Sequence, residues 1–178
     1  KDMKLLSEYA DRLIHTSRSC KRNVPVLLVD PVTSVWTARE EEKEPLREEF
    51  SRLQRSLLEH RLDYYIIDPQ LLEKGLVKKG ENGTVISING EEFSLIVLPS
   101  MTNLEDHCYL KVREYAEAGG MLGAEGCLAN RRILKEDPGP WMKEWFSSGR
   151  NTAFYGESPD ELCRKLKKAV GGYLLETA

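Results

Sequence analysis

The sequence predicts a three-layer α/β domain, a parallel sheet with helices on both faces, with a small β-hairpin before the third core strand. Three observations predict it. Residues 24–30 (VPVLLVD) and 94–100 (SLIVLPS) are continuous apolar runs, the pattern of strands buried on both faces. Stretches with apolar residues at helical spacing separate the strand-like runs, as crossover connections in a parallel sheet require. Asn89-Gly90, between two alternating segments, tolerates the positive φ angles of a type I′ turn and marks the hairpin.

Each element has its own signal. Residues 4–18 read as a helix with Leu5, Leu6, Tyr9, Leu13 and Ile14 on one face. The first strand, 24–30, ends in Asp-Pro. Residues 33–45 read as a polar loop, with the acidic run 40–44 either solvated or starting a helix. A helix is expected from Pro45, whose missing N–H suits a first turn, with Leu46, Phe50, Leu53, Leu57 and Leu58 as its apolar side. Residues 62–68 (LDYYIID) form the second strand and 69–75 a short helix stopped by Gly75. After the hairpin and the third strand, a helix is capped by Asn103 and ended by Gly119-Gly120, with Leu104, Leu110, Val112 and Tyr115 as its apolar contacts. Met121 opens a fourth strand, and a loop follows it. A short helix over 139–146, a fifth strand over 151–156 and a last helix capped by Ser158 complete the pattern.

The 178 residues suit one core, and 40% hydrophobic with 31% charged residues is ordinary for a globular protein. A net charge of −3 argues against a general nucleic-acid binder. The apolar runs fall far short of the roughly 20 residues that span a bilayer, and no signal peptide is evident. The start at Lys1 without Met fits either processing or excision from a longer protein. Cys20, Cys108, Cys127 and Cys163 have neither C-x-x-C nor zinc spacing, so free thiols in a reducing, cytoplasmic compartment are expected. Cys108 is read as helix packing. No cofactor and no metal are expected.

Chemistry in such a sheet gathers at the carboxyl ends of its strands. The residues placed there are Asp30, Trp36, Thr102, Asn103, Glu125 and Arg131, a possible crevice for a small polar molecule. The plainer reading makes Asp30 and Asn103 turn and cap residues. Cys127 follows the fourth strand as a nucleophile would, but a thiol needs a base within hydrogen-bond reach. Of His15, His60 and His107, only His107 lies at the correct end of the sheet. Glu125 and Asp30 could form a carboxylate pair across the crevice, a weak signal because acids at strand ends are common.

The order of segments, above all FSLIVLPSMTNLED (93–106), LKVREYAEAGGML (110–122) and MLGAEG (121–126), resembles the class I glutamine amidotransferase-like domain of multidomain glycoside hydrolases. The trimerisation domain of family-42 β-galactosidases and related rhamnosidase-like proteins are examples. The resemblance covers roughly residues 25–132 and implies a flavodoxin-like fold. It also implies that residues 1–22 connect to an upstream domain and that residues 23–178 form the amidotransferase-like domain. Catalytic members of the wider class carry G-x-C-x-G after the equivalent strand and a later His-x-Glu. Here Glu125 takes the thiol's place, Cys127 lies two residues on, and no histidine follows it. The implied role is a non-catalytic domain making oligomer or interdomain contacts, with self-association or a catalytic domain of the same polypeptide as partner and carbohydrate as a possible ligand. A cysteine-dependent hydrolase or amidotransferase using Cys127, and a sugar-binding module using the crevice, are the alternatives.

Overall fold

The computed structural model describes residues 2–19, 24–81, 83–132 and 137–174. In chain order the elements are α1 (Asp2–Ser19), β1 (Val26–Val29), α2 (Val32–Thr37), α3 (Glu40–Glu59), β2 (Tyr64–Ile67) and α4 (Pro69–Leu72). Then come β3 (Leu76–Gly80), β4 (Gly83–Ile88), β5 (Glu91–Phe93), β6 (Leu95–Leu98), β7 (Asn103–Leu104) and α5 (Asp106–Glu117). The last are β8 (Met121–Glu125), β9 (Arg131–Arg132), α6 (Gly139–Ser147), β10 (Ala153–Gly156) and α7 (Pro159–Leu174).

Five strands form one parallel sheet in the order β10-β8-β6-β1-β2. Numbered among themselves, these run 2-1-3-4-5, the flavodoxin-like arrangement, whose strand order reverses between β1 and β6. Alternation along each strand divides the core. Val26, Leu28, Leu95 and Val97 face α3 and α7, where Leu53, Leu57, Leu162 and Leu166 cover them. Leu27, Val29, Ile96 and Leu98 face the opposite way, onto Cys108, Val112 and Tyr115 of α5 and Met142 of α6. The continuous apolar runs are therefore continuous because both faces are covered.

The hairpin forms as its turn signal requires: Asn89 has φ 51° and Gly90 φ 86°, between β4 and β5. β3, a strand not expected, pairs with β4 along its other edge and makes a three-stranded antiparallel sheet. Its residues are largely exposed, so it carries little apolar signal. Thr84 of β4 donates to the Ala118 carbonyl at 2.7 Å and ties this sheet to the end of α5.

Three expectations need correction. Residues 33–45 are not a loop: they contain α2 and the first turns of α3. Arg39 N–H donates to Glu42 Oε2 at 3.2 Å, and Glu40, Glu41 and Glu42 sit in the first turn, where the helix dipole favours acids. Pro45 is thus inside α3, where its ring leaves the Glu41 carbonyl without the usual donor. Asn103 does not cap α5. It belongs to β7, which pairs with β9, and Glu105 is the cap residue. Leu110 is 56% exposed and gives α5 no core contact. In contrast, Ser158 Oγ accepts from Glu161 N–H at 3.4 Å at the start of α7, as a cap should.

The glycine pair after α5 has two separate jobs. Gly119, at φ 89°, makes the left-handed turn, with Gly120 N–H bonding back to the Tyr115 carbonyl at 2.9 Å. A Cβ on Gly120 would overlap the ring of Tyr115, which is fully buried. Gly120→Ala is expected to cost about 2–3 kcal/mol by overpacking, measured by urea unfolding. An unchanged midpoint would show that Tyr115 can move.

Candidate functional site

The loops after β1 and β6 meet at the point where strand order reverses, and side-chain hydroxyls join them. Ser34, fully buried on α2, accepts from Thr102 N–H at 3.1 Å and Asn103 N–H at 3.0 Å. It donates in turn to the Asn103 carbonyl at 3.1 Å. The Asn103 amide donates to Thr37 Oγ1. Thr33 Oγ1 donates to Glu105 Oε1 at 2.5 Å. Asn130 N–H reaches the Thr102 carbonyl at 3.2 Å, beside the β7–β9 pairing. This clasp uses the groups that a crevice would have offered to a ligand.

The residues expected at this edge therefore separate. Thr102 and Asn103 are in the clasp. Trp36, on α2, is 77% exposed. Asp30 ends β1 with its N–H on the Ile67 carbonyl at 2.9 Å. Burial, with Asp68 beside it, raises its carboxyl above the ordinary aspartate range. The backbone of Arg131 pairs with Asn103, while its side chain lies outside what the structure describes. Cys20 also lies outside the described residues. Asp30 and Glu125 do not form a pair: Asp30 feels Asp68, whereas Glu125 feels Glu49 and Arg52 of α3.

β8 ends in a tight turn at Gly126. Gly126 has φ 62°, and a Cβ there would press on Ser100 at 3.1 Å. Ser100 holds the turn from β6: its N–H donates to Glu125 Oε2 at 3.3 Å, and its Oγ accepts from Cys127 N–H at 3.2 Å. Met101 N–H adds a bond to the Cys127 carbonyl at 3.0 Å, and Tyr155 Oη donates to the Gly126 carbonyl at 2.9 Å. Glu125 is 5% exposed, and burial is the main reason its carboxyl is raised above the ordinary glutamate range. The Ser100 N–H opposes that shift.

Cys127 is exposed, and among the described residues its thiol donates to the Leu128 carbonyl, at 3.8 Å. His107 engages a different group, its Nε2 standing 2.7 Å from Glu105 Oε2. The angle there does not make a hydrogen bond. Thr33, Glu105 and His107 thus form a second polar cluster, and Glu105 is the member that sequence reasoning missed. Its signal was present in Glu-Asp-His at a helix start, but the partner, Thr33, is 72 residues away. Cys108 is wholly buried, and burial pushes its thiol far up; Cys163 is shifted the same way for the same reason. Among the described residues, no group of three His, Cys, Asp or Glu side chains could hold a metal ion, and no helix is long and apolar enough to cross a membrane.

No family model, no curated protein and no solved structure matches this chain.

Two outcomes follow from the turn after β8 and its thiol. In native protein treated with an aromatic disulfide reagent, Cys127→Ala removes one fast-reacting thiol, while Cys108→Ala and Cys163→Ala remove none. Loss of a fast thiol in either buried-site variant would contradict the burial described. The second concerns pH. Because the folded carboxyl of Glu125 is raised, its contribution is fully favourable below the unfolded glutamate value, about 4.3. That contribution is lost as pH rises through the folded value. Glu125→Gln is therefore expected to be more stable than the parent at pH 7. The gain closes below about pH 4.3. Thermal melts across pH check this; a variant less stable at pH 7 would mean that the charge is held favourably.

Proposed function

We propose that this chain is a non-catalytic, amidotransferase-like domain of a larger carbohydrate-active protein, working through subunit or interdomain contacts. One observation carries the reading. At the turn where a thiol amidotransferase would present its nucleophile, the Glu125 carboxylate is turned inward onto Ser100, and the displaced Cys127 thiol has, among the described residues, a backbone carbonyl as its hydrogen-bond partner. A nucleophile without a base is a weak one, and the polar groups at this turn are spent on holding it. The carbohydrate-active parent rests on the resemblance of residues 25–132 alone.

A contact role is also supported by α1. Leu5, Leu6, Tyr9, Leu13 and Ile14 form one apolar face, and each is between 47% and 65% exposed. Isolated exposed leucines are common, but five on one helix face are a surface that calls for cover. The thiol-hydrolase reading has no such support, since Cys127 and His107 share no hydrogen bond.

The test has two arms. The chain is expected to hydrolyse neither glutamine nor nitrophenyl esters. Activity abolished by Cys127→Ala would overturn the proposal. In sedimentation, the chain is expected to self-associate or to bind a neighbouring domain of its own polypeptide, and Leu6→Glu with Leu13→Glu is expected to weaken that contact at least about tenfold. A contact unaffected by both substitutions would remove α1 from it.

A further inference from the structure

A cavity of about 430 Å³ opens at the amino end of the sheet, the edge opposite the clasp. Its walls come from the last turns of α5, from α6 and from the loop leading into β10. The size is within the range of small-molecule sites. Trp141 and Trp145 line one side and stack at 5.2 Å, and the buried Tyr109, outside the lining, meets Trp141 edge-on at 5.7 Å. The Arg150 guanidinium lies over Trp145, 4.5 Å from the ring centroid. Arg113, also in the wall, is engaged by Glu117 at 2.7 Å. Glu144 is an exposed carboxylate on the same rim.

Two groups here are left wanting. Trp145 is 7% exposed, and its indole N–H is buried with no hydrogen-bond partner. A buried donor without an acceptor is costly, by about 1–3 kcal/mol. Arg150, among the described residues, has the Trp145 ring but no carboxylate. Both call for an acceptor. An anion would supply one, but it would enter beside the carboxylates of Glu117 and Glu144. A cation would satisfy Glu144, since Glu117 already holds Arg113, and be repelled by Arg150. A hydroxyl group serves all of them, since it accepts from N–H donors and donates to carboxylates. Neighbouring hydroxyls on one ring match the forked geometry of both guanidinium and carboxylate. The C–H face of such a ring packs on indole, whose face is electron-rich.

We propose that this cavity is a saccharide-binding site taking a pyranose ring, with the partly exposed Trp141 as its aromatic wall, Trp145 buried against it under Arg150, Arg150 donating to the sugar hydroxyls and Glu144 accepting from them. The site is remote from the turn after β8 and from α1, so it stands or falls independently of the contact role.

The experiment titrates the whole chain with D-glucose, D-galactose and L-rhamnose, and separately with sodium acetate and sodium phosphate, following tryptophan fluorescence and the indole N–H resonances. At least one sugar is expected to saturate with millimolar affinity and to shift the Trp145 indole resonance. Arg150→Ala and Glu144→Gln, both at exposed positions, are each expected to weaken it at least about fivefold, the loss of a hydrogen bond to a charged group, and a thermal melt of each variant separates that loss from any loosening of Trp145. Trp36→Ala, at the other end of the sheet, is expected to leave it unchanged. Three results would overturn the proposal: no saturable response to any of these sugars up to about 100 mM, well beyond weak binding; tighter binding of acetate or phosphate than of the sugars; or sugar binding that survives both rim substitutions.

Discussion

A parallel strand cannot satisfy itself with a near neighbour in sequence; it needs a crossover and a cover on each face. That requirement organises this molecule. β1, β6 and β8 are buried along their full length, and their alternate side chains go to separate cores, one under α3 and α7 and one under α5 and α6. The helices are held to the sheet by those two sets of leucines, isoleucines and valines. Polar bonds then fix how the layers lie, as when Ser56 of α3 donates to Asp160 of α7 at 2.8 Å. Where α7 passes β10, a Cβ on Gly156 would stand 2.5 Å from the backbone nitrogen of Leu162, so the approach admits only hydrogen there.

The sequence makes the sheet and its covers readable for the same reason. Burial on both faces leaves apolar runs such as VLLV and LIVL, and local turn chemistry leaves Asn89-Gly90 and Gly119-Gly120. Elements built by partners far along the chain leave no comparable trace. β3 is a strand because β4 lies beside it, and its Lys78-Lys79 side chains are half in water. β7 exists because Ser34 holds its backbone from 69 residues away and β9 completes the pairing. Asn103 looks like a helix cap by composition, and that long-range bond overrides the local preference. The beginning of α3 was hidden differently: a proline is ordinarily near the start of a helix, and here five residues of acid-rich helix precede it.

The same distinction applies to the sites. Residue types at the carboxyl ends of the strands were legible, because strand ends can be counted. Their roles were not, because Thr33, Ser34 and Thr37 turn the expected crevice into a seam. At the turn after β8, it was the resemblance that set Glu125 where a nucleophile would stand, and the bond its carboxylate accepts from the Ser100 N–H comes from 25 residues away. The aromatic wall of the opposite cavity was written in the sequence only as Trp-x-x-x-Trp on a short helix. Spacing brings Trp141 and Trp145 together, but it does not show that Arg150 folds back over one of them.

The two outermost strands of the main sheet, β2 and β10, are each four residues long. An open sheet with long outer strands invites another sheet to continue it, since every second N–H and carbonyl along the rim is unclaimed. Here such a visitor would find only a few of them. On the β2 side Asp63 and Asp68 stand at the two ends of the strand, and Pro69 then takes away the next donor. The residues that bring the second strand to a close therefore also discourage copies of this domain from joining rim to rim into fibres, even though Tyr65 and Ile66 leave apolar surface on that side.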